Sequence, residues 1–192
     1  MGARMIAGHG EKGAGMFKGL FRPDRTRTAG AALYAQCAAA ARKPEFYQRL
    51  AVPDTVEGRF EIYALHVLLV IDRLRGQGEQ ASAVSQALFD ALLRGLDDGL
   101  REMGVGDLSV GKKMRKLGEA LYGRARNLDR ALAALPATGE LEELLLRTVY
   151  AGIDTPPVAR LMDWIQATRA ALGAQTLETI LEGHVDLGGT VL

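Results

Sequence analysis

The sequence is short of almost everything that catalysis, metal binding or a disulfide would need. It has one cysteine, Cys37, among 192 residues, so no disulfide forms within the chain, which suits a reducing compartment. Its histidines, His9, His66 and His184, are scattered, and one thiol with three distant imidazoles does not make a zinc site. Cys37 lies in the run YAQCAAAA with no activating base nearby, so it reads as a small buried side chain and not as a nucleophile. Aromatic residues are only 6% of the chain. Strand-like alternation of useful length is lacking, as are a Ser-His-Asp order, a phosphate loop and a dinucleotide fingerprint. Neither sign of charge dominates. With 24 Lys and Arg against 23 Asp and Glu and a pI near 7.9, the chain lacks the basic excess of a dedicated nucleic-acid binder, typically above about pI 9. The longest apolar run, Ile62 to Ile71, is broken by His66 and falls far short of the roughly 20 residues that span a bilayer.

What is present is Ala, Leu and Gly in helical patterns. The spacing predicts helices from Ala29 to Lys43, a short one at PEFYQRL that places Phe46 and Tyr47, and a long one ending near Leu74 that begins after VPDT, with Asp54 or Thr55 as its cap. A further helix is expected from about Ala81 to Met103, stopped by Gly104 and Gly106. The next carries Val110, Met114, Leu117, Leu121, Leu128 and Leu132 and is closed by Pro136, with Asp107 or Ser109 as its cap. Shorter helices follow near 138–151, 156–172 and 175–182. The fold class is therefore all-α, a single-domain bundle of about six to eight helices. Residues 1–28 are expected to be disordered, with Met16 as an alternative start. Residues 29–183 form the helical domain, with a core at 29–135 and a C-terminal appendage at 136–183, and 184–192 form a loose tail. The N-terminus lacks the apolar centre of a secretory signal, so the expected location is cytoplasmic.

Three groups of residues invite a functional reading. The first is LREMGVGDLSVGKKMRKLGEALYGRA, residues 100–125. Lys112, Lys113, Arg115 and Lys116 sit near a helix N-terminus, where the dipole disfavours cations by about 0.3–1 kcal/mol each. They are either a solvated face or a contact for an acidic partner, lipid head groups or RNA. Gly111, Gly118 and Gly123 each cost about 1 kcal/mol against alanine, tolerable where another backbone approaches closely. The second is Arg59, His66 and Arg73, spaced by seven on one stripe of an otherwise apolar helix. They need partners if buried: acids from a neighbouring helix, a metal or haem for His66, or a binding partner. The third is the pair Asp97 and Asp98, which resembles the magnesium-binding pairs of helical prenyl-transfer enzymes. No second acidic motif faces it in the sequence, so an ion-pair face is the simpler reading. A helix-turn-helix reading of GVGDLSVGKKMRKLG conflicts with the near-neutral total charge.

Two blocks carry a family resemblance. ARKPEFYQRLAVPDTVEGRFEIYALHVLLVIDRLR, residues 41–75, and FDALLRGLDDGLREMGVGDLSVGKKMRKLGEALYGRA, residues 89–125, together resemble the ubiquinol–cytochrome c chaperone family. The resemblance implies an all-α assembly chaperone for respiratory complex III, with newly made cytochrome b as client. It attributes no catalysis, cofactor or metal to the chain. It further implies a ribosomal tunnel exit and a small helical co-chaperone as partners, with a peripheral place at the inner membrane and no DNA. The alternatives it leaves are a nucleic-acid- or ribosome-binding helical module and a prenyl-transfer-type enzyme. The partner-binding positions implied are Phe46, Tyr47, Pro53, Asp54, Gly58, Arg59 and His66 in the first block. In the second they are Arg101, Glu102, Gly104, Gly106, Asp107, Lys112 and Lys113, to which the residues themselves add Arg115 and Lys116. On this reading Gly104 to Lys116 presents cations to a client or membrane surface, and the glycines admit a close neighbour.

Overall fold

The computed structural model describes residues 22–188, of which 22–24, 107 and 108 are described by backbone alone. The described residues form eight helices: α1 Arg22–Ala41, α2 Glu45–Gln48, α3 Val56–Leu74, α4 Glu79–Glu102, α5 Asp107–Ala133, α6 Gly139–Arg147, α7 Val158–Ala174 and α8 Leu177–Leu181. The all-α expectation holds.

Helix α3 is the axle. Thr55 caps it, its hydroxyl accepting from the Gly58 N–H at 3.1 Å, and Glu57 and Arg73 sit in the first and last turns, the ends that a helix dipole favours for each sign. Its apolar residues run nearly all round, and Ile62, Val67, Leu69 and Val70 are wholly buried. Such a helix needs neighbours on most sides, and α1, α4, α5 and α7 supply them. Helices α1 and α4 run parallel and close: a Cβ at Gly30 would stand 2.6 Å from the Ala87 Cβ. Gly104, at φ +77°, turns the chain between α4 and α5 where a side chain would be strained. Helix α5 then returns antiparallel to α4.

Three expectations are corrected. Helix α1 begins at Arg22, seven residues before Ala29, so 22–28 belong to it. Pro23 lies in the first turn, where its missing N–H is not needed. Residues 1–21 lie outside the described residues. The region after Pro136 is no appendage: Leu141, Leu145, Tyr150, Leu161, Trp164 and Ile165 belong to the same core as Leu33 and Leu69. Tyr150 donates from its hydroxyl to the Leu50 carbonyl at 2.7 Å, and Arg73 donates to the carbonyls of Leu172 and Gln175 at the end of α7. Finally, 184–188 are not loose. Gln36 of α1 donates to the Gly183 carbonyl at 2.7 Å and accepts from the Val185 N–H at 3.0 Å, and Leu187 is buried. The last four residues lie outside the described ones.

Candidate functional site

The two sequence blocks meet at a groove of about 550 Å³. One wall comes from the end of α1 and the start of α3, with Val56, Phe60 and Tyr63. The other comes from the end of α4 with Leu96, Leu100 and Met103, and from α5 with Leu117 and Ala120. Small residues, Ala38, Ala41 and Gly99, line it as well. Its mouth is apolar: Val56 and Met103 keep 62% and 58% of their surface in water, where each forgoes about 1–2 kcal/mol of burial.

The charged lining consists of Arg42, Arg59, Arg124, Glu57 and Glu61. Glu61 is buried, and the Arg124 Nε donates to it at 2.8 Å while its Nη2 makes a second, shorter bond. This forked geometry suits a guanidinium and a carboxylate, and the same guanidinium lies 5.5 Å from the Phe60 ring centre. Arg59 pairs with Asp54 across an exposed 2.5 Å contact and stacks 5.6 Å from the Tyr47 ring centre. Its hydrogen bond to Asp54 holds that carboxyl below its ordinary range. Burial raises the Tyr47 hydroxyl despite nearby Arg59.

The cationic run stands beside this groove. With 3.6 residues per turn, Lys113 lies one turn before Leu117 and Lys116 one turn before Ala120, on the groove side of α5. Lys112 and Arg115 turn outward. All four are exposed, and among the described residues none has an ion-pair partner. Arg42 and Lys43, exposed at the end of α1, are likewise unpaired.

Not every expected position is on this surface. Phe46 and His66 are 1% exposed and form an aromatic cluster with Trp164, whose ring centre lies 5.0 Å from that of Phe46 and 4.8 Å from that of His66. They are core residues because α7, whose position the sequence did not disclose, closes over them. His66 donates through Nδ1 to the Ile62 carbonyl at 2.8 Å, and burial pushes its imidazole down to about 4. The stripe of Arg59, His66 and Arg73 is thus divided among a surface pair, the core and the end of α7. Gly58 is buried against Pro53, whose carbonyl a Cβ would strike, and Pro53 is half-buried. Tyr47, Asp54 and Arg59 stand at the groove. Arg101 pairs with Asp97 at 2.7 Å, and Glu102, Gly104 and Gly106 are exposed near the α4–α5 turn. Asp107 opens α5, but its side chain is outside the described residues. Gly106, not Asp107 or Ser109, occupies the cap position.

Of the two close neighbours that these glycines could admit, an internal one or a partner's, the internal one is not found among the described residues. Nothing lies within 4 Å of a Cβ built at Gly104, Gly106, Gly111, Gly118 or Gly123. Close approach occurs elsewhere, at Gly30 and at Gly95, which faces the Tyr34 hydroxyl. Among the described residues no three His, Cys, Asp or Glu side chains gather as a metal site, and no helix is long and apolar enough to cross a membrane. Burial pushes the Cys37 thiol up to about 12, which leaves it unreactive. The residues that sequence reasoning missed are Arg42, Val56, Leu96, Leu100, Leu117 and Arg124. Leu96 and Leu100 on α4 and Leu117 on α5 recur at helical spacing, a pattern that reads equally well as core.

Comparison with known proteins gives three findings. The sequence model of a family described as ubiquinol-cytochrome C chaperone matches residues 48–187. The ubiquinol-cytochrome-c reductase complex assembly factor 1 of Xenopus laevis is 19% identical over 108 residues, covering 56% of this chain and 54% of the relative. The chain thus spans about half the length of that curated relative. The crystal structure of the Cbp3 homolog from Brucella abortus superposes with a TM-score of 0.77 at 29% identity, covering 90% of this chain and 97% of that one.

Proposed function

Because the chain belongs to the ubiquinol-cytochrome C chaperone family, we propose that it is an assembly chaperone for ubiquinol–cytochrome c reductase, complex III. It holds newly made cytochrome b in the groove between α3, α4 and α5 and works at the periphery of the inner membrane. The role is one of binding, with no reaction step.

The observation that carries this reading is the groove itself. Its apolar walls and small lining residues fit a helix laid in a groove, where side chains at i, i+3, i+4 and i+7 provide anchors. A segment on its way into a membrane is of that kind. The cations beside the groove favour a client with acidic flanks and raise the rate of encounter. The unfilled mouth is consistent with a transient partner, since exposed apolar patches on monomers mark interaction sites.

The test is the double variant Leu100→Glu, Met103→Glu. Both side chains lie at the mouth, one half-buried and one exposed, so the helical content and melting temperature should stay close to those of the parent. In cells the b-type haem absorbance of complex III should fall, as it should in a deletion strain, while other oxidases remain. A photo-crosslinker at Met103 should capture cytochrome b. Normal complex III in the double-variant strain would refute the groove as the client site.

A further inference from the structure

The charges around the groove have a geometry that client binding alone does not require. On one side stand Arg42 and Lys43, at the end of α1. On the other stand Lys112, Lys113, Arg115 and Lys116, all exposed in the first turns of α5, Lys113 and Lys116 toward the groove and Lys112 and Arg115 away from it. None is neutralised by a described residue. Between the two groups lie the two most exposed large apolar side chains of the described residues, Val56 and Met103, both at the mouth of the same groove. Glu57 and Glu61 are the acids of the lining, and Glu61 is already paired with Arg124.

We propose that this face, with Val56 and Met103 at its centre and the two cationic groups at its edges, docks on an anionic bilayer surface. An apolar centre ringed by Lys and Arg is the chemistry of interfacial binding, in which apolar side chains enter the head-group boundary while cations meet anionic lipid. Charge complementarity selects the lipid. The total charge of +1 gives no general affinity for polyanions, so the attraction resides in the patch. RNA matches the cations but leaves Val56 and Met103 in water, and therefore accounts for half of the surface. Docked in this way, the groove opens directly onto the leaflet. The inference rests on the peripheral setting proposed above but not on the identity of the client, and vesicles free of client separate the two.

The test uses the purified full chain with vesicles of phosphatidylcholine alone or with about 30% phosphatidylglycerol, a composition that sets a negative surface potential. An environment-sensitive fluorophore is attached to Met103→Cys, with Ile153→Cys, on the α6–α7 link, as the control; Cys37 is buried and inert. The expected result is sedimentation with the anionic vesicles only, a blue shift at position 103 and not at 153, and release as salt rises toward about 0.5 M. Each cation is worth roughly fivefold, so K112Q/K113Q/R115Q/K116Q should weaken binding on the order of several hundredfold. The matching Arg substitutions at the three lysines should preserve it. Circular dichroism confirms that both variants fold. Equal binding to neutral vesicles, no binding to anionic ones, unchanged binding by the Gln variant, or binding to RNA without binding to vesicles would each overturn the proposal.

Discussion

Acidification should weaken this fold through one buried side chain, beyond what its carboxylates contribute. His66 is 1% exposed, donates to the Ile62 carbonyl and packs at 5.2 Å from the Phe46 ring centre and 4.8 Å from that of Trp164. Burial pulls its imidazole from 6.5 to about 4, with the hydrogen bond to Ile62 opposing this and nearby Lys43 assisting. The folded form therefore binds its proton less readily than the unfolded chain does. A depressed histidine contributes stability that is complete above pH 6.5 and is lost as pH falls from there toward 4. Each tenfold loss of proton affinity is worth about 1.4 kcal/mol, so the total is about 3 kcal/mol, most of it gone by pH 4.5. That is a large share of a margin usually between about 5 and 15 kcal/mol. The assay is urea unfolding at pH 7 and pH 4.5, for the parent and for His66→Phe, which keeps a ring in the cluster and removes the titration. Carboxylates titrate in both proteins and cancel in the comparison. The parent should lose about 2–3 kcal/mol more than the variant. Equal losses in the two would refute the reasoning.

Three further outcomes follow from particular contacts. Tyr150→Phe removes the donor to the Leu50 carbonyl and leaves a buried acceptor unpaired, so urea unfolding should show a loss of about 1–3 kcal/mol with an unchanged slope. Gly30→Ala and Gly118→Ala should move in opposite directions in thermal melts: the first forces α1 off Ala87 at a cost of about 1–3 kcal/mol, while the second meets nothing within 4 Å and gains up to about 1 kcal/mol of helix propensity. Glu61→Gln removes the charge opposite the half-buried Arg124 and should destabilise by about 1–3 kcal/mol; the double variant with Arg124→Met should recover part of that, which a double-mutant cycle measures.

The parts of the fold legible in the sequence were those that local periodicity encodes. The stripe of α3, the stop at Gly104 and the short helix placing Phe46 all follow from neighbours within a few residues. Which stripe meets which was not legible. Leu161, Trp164, Ile165 and Leu172 announce an amphipathic helix, but only the packed structure shows that they cover His66 and Phe46, so those two looked available when they are enclosed. The groove was hidden for the converse reason. Leu96, Leu100 and Met103 continue the apolar face of α4, and a repeat in sequence is the same whether the seam beside it is filled or open. The unpaired cations of α5 stood out because they oppose the helix dipole, a conflict that stability alone does not explain.

The amide of Gln36 does for residues 183 and 185 what a neighbouring strand would do, accepting from one backbone N–H and donating to one carbonyl. Those partners lie 147 and 149 residues further along the chain. During synthesis, α3 and α4 can therefore pack on α1 long before the segment that Gln36 holds has been made, and that last seam closes only when the chain is nearly finished. A protein proposed to shield an unfinished polypeptide thus gains its own last seam at the end of its synthesis, and a translation stall before residue 183 should leave the Gln36 side of α1 open to water while the faces packed on α3 and α4 stay covered.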